Sequence, residues 1–136
     1  MTHRQESLWD AVDRIRASDP RFRREAYGFV MLALALAMQE MPPERRQDVE
    51  RRHLTGPELL QSVVDLARRE FGSMAPTVFE EWGVRTAADV GDLVFQLVEF
   101  HQLSARPEDR REDFHGPNLM GLLAGGGTPR VPGASG

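Results

Sequence analysis

The apolar run from Ala26 to Met38 constrains this chain more than any other segment, because thirteen consecutive residues pass without a charge. A bilayer-spanning helix needs about 20 such residues, so the run is too short to cross a membrane. A secretory hydrophobic region would follow a short basic leader. Here 25 residues precede the run, and they include Glu6, Asp10, Asp13, Asp19 and Glu25. The segment therefore reads as the central helix of an all-α domain, buried on most sides, with Ala and Gly residues that let neighbours approach closely. Its expected span is Arg21 to Met41, opened by Asp19 as N-cap and Pro20 in first position, and stopped by Pro42-Pro43.

About four further helices surround it in this reading. Thr2 and Gln5 fit a capping box for a first helix carrying Leu8, Val12 and Ile15, with Trp9 beside them. The connector Glu44 to Arg52 has room for a short exposed helix. Thr55-Gly56-Pro57-Glu58 is a capping box with Pro in the first turn. The helix it opens repeats Leu59/Leu60, Val63/Val64, Ala67 and Phe71, and Gly72 is placed to close it. A short helix from Ala75 to Trp82 stops at Gly83. Thr86 with Asp89 then caps a last helix presenting Val90, Leu93/Val94, Leu97/Val98 and His101 on one side. One helical domain over residues 1–114 is expected, followed by a Gly/Pro-rich disordered tail over 115–136, which holds 7 of the 12 Gly.

Without cysteine, thiol catalysis, disulfides and Cys-type zinc sites are excluded. A cytoplasmic location is the default expectation. All 17 basic residues are Arg, but they are interspersed with 21 acids rather than gathered into a basic footprint.

The helices after Thr55, the turn Gly83-Val84-Arg85-Thr86 and a two-stranded ribbon about Pro107 would match the order of a winged helix-turn-helix. The C-terminal half therefore admits a winged-helix-like arrangement with a small β-ribbon as its wing. The charges argue against DNA as its ligand. The stretch 87–102 has no basic residue, while Asp89, Asp92 and Glu99 lie on the helix that would enter the groove. In the wing, Arg106, Arg110 and Arg111 are offset by Glu108, Asp109, Glu112 and Asp113.

Glu50-x-x-His53 has the spacing used by di-iron carboxylate bundles, yet it has no second pair, and Arg51 and Arg52 intervene. His53 is better read as an element of the entrance to the Thr55 helix, and His101 as a core or edge histidine. Glu80 and Glu81 point about 100° apart on a helix and so do not converge on one substrate. No nucleophile elbow, phosphate loop or His-acid dyad is apparent, so neither a catalytic residue, a metal nor a cofactor is assigned. Trp9, Phe79 and Trp82 are the residue types that anchor interfaces, although core packing accounts for them as well.

Several motifs together resemble a family of uncharacterised small conserved proteins described as restricted to Verrucomicrobia and Planctomycetes. They are Asp19-Pro20-Arg21-Phe22, Ala26-Tyr27-x-Phe29-Val30, His53-Leu54-Thr55-Gly56-x-Glu58-Leu59-Leu60, Phe71-Gly72-x-Met74-Ala75, Trp82-Gly83-Val84 and Val94-Phe95-x-Leu97-Val98-Glu99, extended by Asp109, Asp113 and Phe114. The resemblance covers about Leu8 to Phe114 and implies no reaction, ligand or partner. It does mark His53, Thr55, Gly56, Trp82 and Gly83 as places to look, and Arg110 joins them as a candidate binding residue. The expected role is a non-enzymatic regulatory or scaffolding module that binds another protein. The alternative is a nucleic-acid- or ribosome-associated factor using the arginines of the N-terminal half, Arg21, Arg23, Arg24, Arg45, Arg46, Arg51 and Arg52.

Overall fold

A computed structural model describes residues 7–51, 53–103 and 114–125. Among these the elements are α1 (Leu8–Ser18), α2 (Arg24–Glu40), α3 (Pro43–Arg46), α4 (Gly56–Phe71), a 3-10 turn (Gly72–Met74), α5 (Ala75–Glu81), α6 (Ala87–Glu99) and α7 (Leu119–Leu123). The described residues contain no strand. The ribbon expected about Pro107 and the cap at Thr2 both lie outside them.

Local chemistry explains the boundaries. Ser7 caps α1 by accepting from the Asp10 amide at 3.2 Å. Both predicted capping boxes form, Thr55 with Glu58 on α4 and Thr86 with Asp89 on α6. Gly72 closes α4, as expected, at φ 54°. The expected start of α2 is wrong. Asp19 does not open α2; it terminates α1, and its carboxylate accepts from the Arg21 amide at 3.2 Å. Residues 20–23 form a turn, and α2 begins at Arg24. An Asx-type turn has competed successfully with the N-cap for the same carboxylate.

The main packing contact is between α2 and α4, with α1 and α6 against the remaining inward face of α2. Ala26, Tyr27, Val30 and Ala33 form that face and are at most 2% exposed. The expectation that α2 is buried on most sides is corrected by its outer face, where Leu32 is 49% exposed and Ala35 is also exposed. An unbroken apolar run has no periodicity from which to tell one buried face from two. α6 is the better-covered helix, with Glu99 its one fully exposed residue. It ends earlier than expected. Phe100 is the C-cap, and His101 is exposed in the left-handed region at φ 62°. His101 thus takes the place glycine often holds beyond a helix end, rather than a core position.

Residues 114–125 also depart from expectation. Phe114 packs on α6 beside Gly91, and α7 places Leu119 and Leu123 against the core, each 1% exposed. Asn118 caps α7 by accepting from the Gly121 amide at 3.1 Å. The glycines and prolines that suggested a tail flank a short apolar helix, whose burial offsets the cost of ordering it. The fold therefore extends past residue 114 to at least Gly125, and the remainder of the expected tail, 126–136, lies outside the described residues. Leu119→Ala should accordingly lower the unfolding free energy by ~2–4 kcal/mol. Urea denaturation followed by circular dichroism measures this, and an unchanged midpoint would mean the segment is not part of the core.

Candidate interaction surface

The residues singled out in the sequence separate into two groups at opposite ends of α4, a helix of 16 residues and so about 24 Å long. At its N-terminus, Arg45 organises the approach to Thr55. Its guanidinium donates to both Glu58 carboxylate oxygens at 2.7 Å, to the His53 carbonyl at 3.0 Å and to the Arg51 carbonyl at 2.5 Å. Glu58 also accepts from the Thr55 amide at 2.9 Å, and the Thr55 hydroxyl accepts in return from the Glu58 amide at 3.2 Å. His53 enters this knot through its backbone. Thr55 is the N-cap, and Gly56 starts the helix ahead of Pro57. Hydrogen bonding to Arg45, aided by Thr55, holds the Glu58 carboxyl down at about 2. Glu50 has its amide turned to Asp48 at 2.9 Å. Among the described residues no three His, Asp or Glu side chains group as a metal-binding set.

At the other end of α4, Trp82 joins Phe29, Phe71 and Phe79. Ring centroids lie 5.4 Å apart for Phe29 and Trp82, 5.8 Å for Phe71 and Trp82, and 5.3 Å for Phe79 and Trp82. The Trp82 carbonyl accepts from the Arg23 amide at 3.0 Å. Gly83 has φ 85°, and a Cβ there would stand 2.5 Å from the Arg21 carbonyl oxygen. Trp82-Gly83 therefore forms the seam on which the α1–α2 turn rests. Arg110 lies outside the described residues.

The arginines proposed for nucleic-acid contact are mostly engaged with acids. Arg21 bridges Asp92 at 3.0 Å, Asp19 at 3.6 Å and Asp89 at 3.7 Å, which covers the acidic side of α6. Gln96 continues this network inward. Its amide donates to Asp19 at 2.8 Å, and its carbonyl accepts from the Tyr27 hydroxyl at 2.5 Å. Burial, and secondarily Asp19, pushes the Tyr27 hydroxyl up to about 12. Arg24 pairs with Asp13 at 2.9 Å, Arg45 with Glu58 and Arg51 with Asp48 at 4.0 Å, while Arg52 lies outside the described residues.

Sequence reasoning missed the outer face of α2. Leu32 and Ala35 lie on its crest, flanked by the half-buried Met31, Leu36 and Met38. At its N-terminal end Trp9, 44% exposed, lies across Gly28, where a Cβ would meet the ring at 2.8 Å. Arg24 covers that ring at 4.8 Å from its centroid. Beside the crest, a cleft between α2 and α4 is floored by Ala33, Ala37 and Leu66 and edged by Glu40, Asp65 and Arg69. The signal was present in the sequence, since the run is apolar on all sides and no single packed neighbour covers every side of a helix.

The chain was compared with protein-family models, with curated proteins and with solved structures, and none matches it.

Two measurements test the two ends of α4. Because the folded Glu58 carboxyl lies below its unfolded value, its contribution is present above about pH 4.5 and is lost as pH falls toward 2. Glu58→Gln should flatten the acid limb of stability across that window, read by urea melts at stepped pH. The pair is partly solvated, so its effect at neutral pH should stay near ~1 kcal/mol. Gly83→Ala should cost ~2–3 kcal/mol through its positive φ and the Arg21 carbonyl. A melting temperature equal to wild type would mean that the seam rearranges without cost.

Proposed function

We propose that this chain is a non-enzymatic regulatory or scaffolding module that binds another protein through the outer face of α2. The observation that carries this reading is a continuous apolar surface, Trp9 over Gly28 and then Met31, Leu32, Ala35 and Leu36, on a helix whose charged residues lie at its ends. Contiguous exposed apolar surface centred on a Trp is where soluble domains meet their partners. The two groups singled out by their motifs serve this surface indirectly. The Arg45 knot fixes the start of α4, and the Trp82 cluster fixes the level at which α2 lies beside it.

The nucleic-acid alternative draws less support. A recognition helix must present a face to the groove, whereas α6 is covered except at Glu99, and two of its acids, Asp89 and Asp92, are held by Arg21. A winged-helix assignment for the C-terminal half depends on residues 104–113, which lie outside the described ones. Among the described residues no helix is long and apolar enough to cross a membrane, and a cytoplasmic site of action belongs to the same proposal. So does membership in the Verrucomicrobia and Planctomycetes family, which rests on the motifs alone.

Affinity capture from native lysate, with wild type and Leu32→Asp as paired baits, tests the reading. A stoichiometric protein identified by mass spectrometry with wild type and lost with Leu32→Asp is the expected outcome. Identical recovery by both baits would refute the surface.

A further inference from the structure

We infer that the occupant of the α2 face is a second copy of this chain, docked about a two-fold axis that sets α2 antiparallel to its counterpart. The inference rests on the reading of that face as an interaction surface and names the partner.

Shape gives the register. α2 and α4 run antiparallel, with Phe29 stacked on Phe71 at 5.5 Å and Glu40 sharing a cleft with Ser62. Ala67 on α4 therefore lies at the level of Ala33 to Ala35 on α2. A two-fold axis crossing both helices at this level sets the protruding Leu32 of one copy over the small, exposed Ala35 of the other, and the reverse. The same operation brings Trp9, on its Gly28 platform, to the level of the exposed Gln39 of the second copy, beside the half-buried Met38. A two-fold interface requires a self-complementary surface, and large against small along one helix satisfies that requirement.

Charge gives the second, independent argument. Asp65 and Arg69 stand on the outer side of α4, one turn apart, at the rim of the cleft. At this spacing they could pair with each other, yet among the described residues no ion pair joins them, and Asp65 instead accepts from the Gln61 amide at 2.8 Å. Their midpoint is Ala67, the level the apolar contact requires for the axis. The two-fold operation then sets Asp65 of each copy against Arg69 of the other, giving two reciprocal ion pairs beside the apolar contact. One axis thus satisfies both the apolar and the charged residues of the face.

Sedimentation equilibrium on the full chain measures the outcome. Wild type should behave as a dimer of the 15.3 kDa chain at micromolar concentration. Leu32→Asp should be monomeric over the same range. Asp65→Arg and Arg69→Asp should each weaken association by about tenfold, since each sets like charges together twice. The double variant, Asp65→Arg with Arg69→Asp, should recover most of the loss, and circular dichroism checks that every variant is folded. A monomeric wild type overturns the second-copy inference while leaving capture of a different protein, tested by the paired baits, unaffected. A dimer that survives Leu32→Asp, or reversal of both charges without recovery, overturns the proposed face and register.

Discussion

The antiparallel contact between α2 and α4 is the interaction on which the rest of the structure depends. α2 has far more apolar surface than its neighbours can cover, and the small residues Ala26, Ala33 and Ala37 let one side of it approach them closely. That choice fixes which residues face inward. Tyr27 then reaches Gln96 on α6, Val30 is buried, and Leu32 and Ala35 are left outside by helical geometry. The aromatic group at one end and the Arg45 knot at the other hold the two helices in register. The interior and the exposed face therefore have a common origin.

The polar network around Arg21 is subordinate to this packing and completes it. The turn of residues 20–23 must pass close beneath Gly83, and only a residue without Cβ leaves room for the Arg21 carbonyl. Once the turn is seated, the Arg21 guanidinium reaches Asp89 and Asp92 on α6, and Asp19 reaches Gln96. Asp19, Gln96 and Tyr27 form a chain that leads from the partly exposed Asp19 carboxylate to the buried Tyr27, whose hydroxyl therefore has a partner and remains in the core at little cost. Asp89 and Asp92, two of the three α6 acids that would repel a phosphate backbone, thus tie α6 to the α1–α2 turn. Their charge serves the fold.

Much of this was legible from local signals. Thr55 with Glu58, and Thr86 with Asp89, each specify a helix start through two hydrogen bonds that close within four residues, and no tertiary partner is needed to read them. Failures arose where a residue had two local uses or where tertiary burial decided. Asp19 can cap a helix or turn the chain, and the choice depends on Gly83, 64 residues away. Leu119 and Leu123 sit among glycines and prolines, and their burial is visible only once α4 and α5 offer a surface. His101 keeps the helical spacing of Leu97, yet the chain has already left the helix at Phe100. The candidate surface was the hardest to read, because an apolar run states how much must be covered and not which side the domain itself will cover.

The exposure of Leu32 is consequential because a remedy was available in sequence space. A polar residue at 32 or 35 would disturb no inward contact of α2, since Ala26, Tyr27, Val30 and Ala33 make those contacts. Such a change would lower the exposed apolar area and improve solubility. The same helix does carry charge at both ends, Arg24 and Glu25 at one and Glu40 at the other, so the domain tolerates charge wherever α2 meets water alone. Between those ends the outer face runs through Gly28, Met31, Leu32, Ala35, Leu36 and Met38, with Trp9 laid across the first of them and the exposed, uncharged Gln39 next to Glu40. A face that is apolar where folding does not demand it, and bounded by charge where it stops, has the composition of an interface core and its rim.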